Sequence, residues 1–347
     1  MPILNWKKIY LTISLIIGIA LFFIIIESFG GLKKSFFAVS EAGWISMLIF
    51  AALFSLTLIG PAISWYMLMR SEKMPVKLLT VLKANFMGFP INFITPSLFL
   101  GSEPLKVYYI SHVHKIPKRK ILATIIVSKF QELGAVLLTM VIALGIALWK
   151  LNINERQETL LVISMVIIGS IFLLALYTFA GHLKPIAKIV YLISKLGIAK
   201  KKLSKLESRI DDMEKMIHYT FTKNKMSLFK SQLVMFISPA GVFIRPLIFF
   251  IMIKQPTLSI AALSAIYLVT NIINILPLTP GGLGFLEGGM LGIFTLIGLK
   301  ETQANTFSIL IRTSDIILIA LGIWLIIHLG LKAVAKRTVK LNGKKKK

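Results

Sequence analysis

The sequence predicts an all-α polytopic membrane protein. It reads as a single integral membrane domain over residues 1–347, with about six full transmembrane helices, two re-entrant hairpins and an inverted-topology repeat. Three observations carry that prediction: the apolar content, the length of the apolar runs, and the placement of lysine and arginine. Hydrophobic residues make up 56% of the chain and the mean hydropathy is +0.82, outside the range of soluble domains. Lys and Arg number 40 against 14 Asp and Glu, a formal charge of +26. With this apolar content the charge points to anionic lipid and away from nucleic acid. Cysteine is absent, which excludes disulfides and thiolate metal sites.

Taken in order, runs long enough to cross a bilayer, roughly 20 residues each, lie at 9–26, 44–69, 121–149, 160–180, 228–253 and 305–329. The first follows Lys7 and Lys8 and reads as a retained anchor helix, because no small-residue cleavage site follows it. Two further apolar segments, 79–113 and 258–299, are interrupted by Pro and Gly. If each enters and leaves by one face, 29 of the basic residues fall on one side and six on the other. That imbalance is the one short cytoplasmic loops show. It places both termini in the cytoplasm, in a multi-pass protein of the cytoplasmic membrane.

The segment 181–227 reads as a basic amphipathic cytoplasmic loop. Ile186, Ile189, Val190, Ile193 and Leu196 recur at helical spacing with lysines between, and Leu203, Leu206, Ile210, Met213 and Ile217 continue the rhythm. The pattern predicts a helical hairpin lying on the inner membrane surface.

The repeat rests on three coincidences in the same order along the chain. Thr95, Pro96 and Glu103 of "INFITPSLFLGSEPLK" correspond to Thr279, Pro280 and Glu287 of "INILPLTPGGLGFLEGGM". Lys129 and Glu132 correspond to Arg312 and Asp315, and Pro61-Ala62 to Pro239-Ala240. The halves are 1–150 and 160–330. Each holds three spans and one hairpin, so the second is inverted relative to the first, the plan of transporters whose sites lie at broken helices.

A broken helix exposes unpaired backbone groups, which survive in a membrane only when buried in protein or facing a wet cavity. Gly101 and the Thr-Pro pairs mark the breaks. Gly281, Gly282 and Gly284 permit close backbone approach. Ser102 is placed as an N-cap and Pro104 in the first helical turn. New helix starts favour anions, and phosphate is the anion at a membrane. Glu103 and Glu287 follow the breaks, where a carboxylate pairs with a base, binds a cation or carries a proton. Lys129/Glu132 and Arg312/Asp315 sit one turn apart; an internal salt bridge and a headgroup site both fit. Arg245, in "GVFIRPLIFF", lacks a local acid and has Glu287, Asp315 or a ligand phosphate as candidate partners. Asn271 and Asn274 either donate to a headgroup or cap backbone carbonyls.

These residues carry a likeness. "NILPLTPGGLGFLEGGM" and "LIRTSDIILIALG", with "ITPSLFLGSEPLKVYYI" and "VSKFQELGAVLL" before them, resemble the lysylphosphatidylglycerol synthase transmembrane-region family of flippase-like membrane proteins, which includes the membrane domain of the multiple peptide resistance factor. Ser97 and Leu98 stand where that family usually has glycines. The resemblance implies binding or translocation of an anionic phospholipid or polyprenyl lipid, downhill or ion-coupled. The sequence ends at "KLNGKKKK" without a synthase-like segment, so aminoacyl transfer is not implied, and a separate lipid synthase or glycosyltransferase is a candidate partner. No ATP-binding loop, acidic metal-binding pair or other catalytic motif is recognisable, so no cofactor, metal or catalytic residue is expected. A membrane-embedded transferase, an ion or solute transporter and a scaffold stay open as alternatives, as does the oligomeric state.

Overall fold

The computed structural model describes residues 31–95, 101–150, 155–181, 183–184, 200–275 and 279–344. Among them every regular element is a helix. In order these are α1 (Gly31–Ser71), α2 (Leu78–Ile94), α3 (Glu103–His114), α4 (Lys118–Lys150), α5 (Glu155–Ala180), α6 (Lys200–Lys223), α7 (Lys225–Met235), α8 (Ile237–Met252), α9 (Ile260–Ile275), a 3₁₀ turn at Pro280–Gly282, α10 (Phe285–Leu296) and α11 (Glu301–Lys344). Five stretches are long and apolar enough to cross a membrane: Leu48–Ser71, Lys118–Lys150, Val162–Phe179, Lys225–Met252 and Glu301–Leu329. They coincide with five of the six predicted spans; the sixth, 9–26, lies outside the described residues. Both interrupted segments are broken as expected, into α2 and α3 and into α9 and α10. At 12 to 17 residues, none of the four alone reaches the ~20 residues that a crossing needs.

The helices gather into two compact units, each drawn from both halves of the sequence. Unit 1 comprises Met1–Ser55, Leu82–Lys106 and Ile273–Lys347; unit 2 comprises Leu56–Val81 and Val107–Ile272.

In unit 1 aromatic rings join α1, α10 and α11. The Phe307 ring meets Phe50 edge-on at 6.0 Å and stacks on Phe294 at 5.8 Å, geometries that aromatic pairs favour. Pro90, inside α2, cannot donate to the Phe86 carbonyl one turn back. Gly322 of α11 packs on that place: a Cβ there would lie 2.5 Å from the Phe86 oxygen and 2.6 Å from the Pro90 ring. The missing hydrogen bond and the missing side chain thus occupy the same spot.

In unit 2 the polar side chains buried between helices are paired. Gln131 of α4 donates to Ser231 and to the Leu228 carbonyl, both at 2.8 Å, and its own carbonyl accepts from Gln232. Trp65 donates to Thr124, and the hydroxyls of Thr139 and Tyr267 meet at 2.6 Å. Pro239 leaves Met235 without its helical donor, and α7 gives way to α8 there at Phe236.

The amphipathic loop is helical over α6, and its apolar face has a protein seat. Met213 and Ile217 are buried with Leu68, Ala123 and Val127. The expectation that this face lies on lipid is therefore corrected for these two residues; positions 186–196 lie outside the described residues. A helix face that covers the ends of α1 and α4 has the same periodicity as one that covers a membrane.

On the polar side of α6, Asp211 is in salt bridges with Lys184 at 2.5 Å and Lys215 at 2.6 Å. Hydrogen bonds from Lys184 and then Lys215 hold its carboxyl down at about 2. A depressed carboxylate stabilises the fold above the unfolded value, near ~3.9, and that contribution is lost as pH falls through about 2. Asp211→Asn is expected to lower the melting temperature in detergent at neutral pH by a small amount, since the pair is solvent-accessible. The difference from the parent should shrink as pH falls from about 4 toward 2 and vanish below 2, and a difference that does not shrink over that range would show that charge is not its cause.

Candidate functional site

The second break builds an ion cluster inside unit 1. The chain enters the break at Thr279, whose hydroxyl donates to the Leu283 carbonyl at 2.8 Å. Pro280–Gly282 makes one 3₁₀ turn, with Gly281 at φ +59°, Gly282 at +63° and Gly284 at +80°. These are left-handed conformations that an L side chain resists. At Gly281 a Cβ would also run into the ring of Phe93. Gly284 then caps α10, and its N–H donates to the Glu287 carboxylate at 2.7 Å. An acid at this third helical position faces the positive end of the helix dipole.

The carbonyls of Gly281 and Gly282 have no helix to bond to; Arg312 of α11 takes them. Its Nη1 donates to Gly281 at 2.8 Å and its Nη2 to Gly282 at 3.1 Å. The same guanidinium grips Glu287 side-on, Nε to Oε1 at 2.6 Å and Nη2 to Oε2 at 3.3 Å, and reaches Asp315 from Nη1 at 3.1 Å. All five N–H donors of arginine are engaged. The three charged side chains are 0 to 9% exposed. One guanidinium thus lies between two carboxylates.

This geometry bears on the headgroup reading of Arg312. Arg312 holds the break closed, and a phosphate would have to replace one of its present partners. Glu287, read as pairing with a base, binding a cation or carrying a proton, is paired with a base.

The first break is built differently. Thr95 donates to the Ile91 carbonyl at 2.5 Å, Gly101 is half-buried, and Pro96 lies outside the described residues. The Ser102 N–H donates to Asn92 at 2.8 Å, and the Ser102 carbonyl accepts the first bond of α3. Ser102 therefore stands where an N-cap stands, but its hydroxyl is buried without a hydrogen-bond partner, which corrects the expected side-chain cap. Glu103 pairs locally, with Lys106 at 3.5 Å, both nine-tenths buried. Lys106 lies across Gly88, where a Cβ would sit 2.6 Å from its Cε and 2.8 Å from Ser102 Oγ. Charge counting assigns Lys106 to a cytoplasmic loop; it is a buried residue of α3. The i,i+3 spacing of Glu103 and Lys106 was the available signal for the pair.

In unit 2 Lys129 and Glu132 pair within α4 at 2.7 Å, partly exposed. Asn271 donates to the Tyr267 carbonyl at 2.9 Å, the backbone-capping alternative. Asn274, in unit 1, is exposed. Arg245 is buried within α8, directly before Pro246.

The chain is similar to membrane proteins named UPF0104. The one from Methanothermobacter thermautotrophicus is 23% identical over 260 residues, 71% of this chain and 72% of the relative. The one from Methanocaldococcus jannaschii is 24% identical, covering 67% and 69%, and the one from Pyrococcus horikoshii is 22% identical, covering 88% and 92%. No solved structure matches. The profile of the lysylphosphatidylglycerol synthase transmembrane region matches residues 11–322, a stretch that takes in both helix breaks and the ion cluster, and the chain belongs to that family of multi-pass membrane proteins.

Proposed function

We propose that the chain binds an anionic or polyprenyl-linked lipid and moves it across the cytoplasmic membrane, downhill or coupled to an ion, with both termini on the cytoplasmic side. The observation that carries this reading is the arginine-centred cluster at a helix break of a membrane protein. Charges at that depth are costly and usually functional. The carbonyl and carboxylate partners of Arg312 are oxygen acceptors, as phosphate oxygens are, so a headgroup phosphate replacing Asp315 at Nη1 keeps the donor satisfied. The longer Arg312–Asp315 bond, at 3.1 Å against 2.6 Å for the shorter Glu287 bond, makes Asp315 the partner to exchange. Two hairpins entering from opposite faces, as the inverted repeat requires, would carry such a site toward the midplane while the lipid tails stay in hydrocarbon. Lys129/Glu132, Arg245 and Glu103 remain candidates for the same path. The family's name ties its members to a lipid-modifying system, which favours lipid over a soluble substrate.

The test is lipid exchange in proteoliposomes containing fluorescently labelled phosphatidylglycerol, with an impermeant quencher outside. Wild-type protein is expected to raise the rate at which inner-leaflet label becomes quenchable well above that of empty vesicles. Rates equal to those of empty vesicles for labelled phosphatidylglycerol and for a labelled polyprenyl phosphate would end the proposal.

A further inference from the structure

Two tight turns of unit 2 carry lysines where a helix end favours glycine. Lys73 follows α1 at φ +56°, and Lys115 follows α3 at φ +59°. At the first turn the Lys73 N–H donates to the Arg70 carbonyl at 3.0 Å and the Met74 N–H to the Met69 carbonyl at 3.0 Å, the Schellman pattern whose left-handed position is usually glycine. At the second, the Lys115 N–H donates to the Ser111 carbonyl at 2.9 Å and the Ser111 hydroxyl to the Ile116 carbonyl at 2.8 Å. Among the described residues, every non-glycine residue with a left-handed φ is a lysine. A cation at a helix C-terminus gains from the dipole, but at an exposed position it gains less than the left-handed backbone costs an L residue. These side chains therefore answer to something beyond the helix end.

The two turns form one ledge. The His114 ring lies 3.1 Å from the Thr80 hydroxyl and donates to the Pro75 carbonyl, which ties the end of α3 to the turn before α2. Burial, and next the Lys77 charge, hold the His114 imidazole below its ordinary value, so the charge of one turn is felt at the other. Tyr108, 58% exposed, stacks on His112 at 5.9 Å, and Lys118 Nζ stands 5.7 Å over its ring. Lys73, Lys77, Lys115, Lys118 and Lys120 are exposed, and among the described residues none of them is in a salt bridge. The acids nearby are engaged: Asp212 holds Arg119 at 2.6 Å, and Glu72 accepts from Thr220 at 2.9 Å. From Lys73 to Lys120 the one acid is Glu103, buried against Lys106. Apolar side chains stand among the lysines, Leu79 at 61% exposure and Val113 at 46%. The crossing stretch Leu48–Ser71 ends at this ledge and Lys118–Lys150 begins there, so the ledge lies at the level of the headgroups.

We propose that this ledge is a docking site for the phosphate of an anionic phospholipid in the adjoining leaflet, with Lys77, Lys115 and Lys118 as its cations. Leu79, Val113 and the Tyr108 ring enter the acyl boundary, the level at which such side chains anchor a membrane protein. The lysine stems lie along them and carry the ammonium groups back to the headgroup. Each lysine beside an anionic surface is worth about fivefold in association. An acidic protein would match the charge, but lipid also covers the apolar side chains that stand between the lysines. The docking site goes beyond the lipid-moving reading and stands without it.

The chain lacks cysteine, so Pro117→Cys, at an exposed position between Lys115 and Lys118, gives the full chain a single site for a bimane label. In phosphatidylcholine nanodiscs, spin-labelled phosphatidylglycerol should half-quench the label at a mole fraction about tenfold or more below that for spin-labelled phosphatidylcholine. Lys77→Gln with Lys115→Gln should remove most of that preference. Lys223→Gln with Lys225→Gln, which takes the same charge from two exposed lysines elsewhere, should leave it unchanged. Lys115→Gly separates folding from binding: it relieves the left-handed backbone, so the melting temperature should be no lower than the parent's, while the preference falls about fivefold. A chain that moves no lipid but keeps the preference ends the translocation reading and leaves the ledge standing. Equal quenching by the two lipids, or a preference that survives Lys77→Gln with Lys115→Gln, would overturn the docking proposal. So would reversal of the quenching by inorganic phosphate, which would make the ligand a free anion, or protection of the label by polyglutamate with no preference between the lipids, which would assign the ledge to an acidic protein.

Discussion

Arg312→Ala is expected to destabilise the protein by about 3–5 kcal/mol, the cost of removing one partner from a buried pair and leaving the other charge unpaired. Here the loss takes the guanidinium from two carboxylates and uncovers the carbonyls of Gly281 and Gly282, so the upper part of that range applies. Arg312→Lys should recover little, because an ammonium offers three donors from one atom where five from a planar fork are in use. The paired change Arg312→Met with Glu287→Gln should recover a substantial part, since it removes both charges of the tightest contact. Melting in detergent reads all three, and a melting temperature for Arg312→Ala equal to that of wild type would show that the cluster does not hold the break.

Gly281→Ala carries the second large effect. A left-handed φ costs an alanine about 1–2 kcal/mol, and the added methyl meets the Phe93 ring, an overpacking cost of about 1–3 kcal/mol. The expected total is roughly 2–5 kcal/mol. Phe93→Ala removes the obstacle, so Gly281→Ala made in that background should cost about 1–2 kcal/mol, the backbone part alone. A double-mutant cycle measures the difference. If Gly281→Ala costs the same in both backgrounds, Phe93 does not set the identity of residue 281.

The breaks themselves were legible, because proline and paired glycines within an apolar run leave the backbone few alternatives. That Arg312 and Glu287 are special was legible too, since a lone charge in such a run demands compensation. Their partnership was not. It joins residues 25 apart in sequence, and Arg245 and Asp315 were equally available partners by composition. Lys106 shows the opposite failure: a rule that counts charges near span ends cannot see that one of them folds back over Gly88. The face of α6 was legible as apolar, but Met213 and Ile217 cover protein, and hydrophobic spacing does not say whether lipid or a neighbouring helix lies opposite.

The notch at Gly322 has a mechanical consequence. With the Phe86 carbonyl and the Pro90 ring lodged against it, α11 cannot slide along this part of α2 by even one residue without driving a Cβ into backbone. The part of α11 around Gly322 thereby moves as one block with the second half of α2, a helix far away in sequence. Spin labels on exposed positions of these two stretches should keep a constant separation through every state of the working cycle.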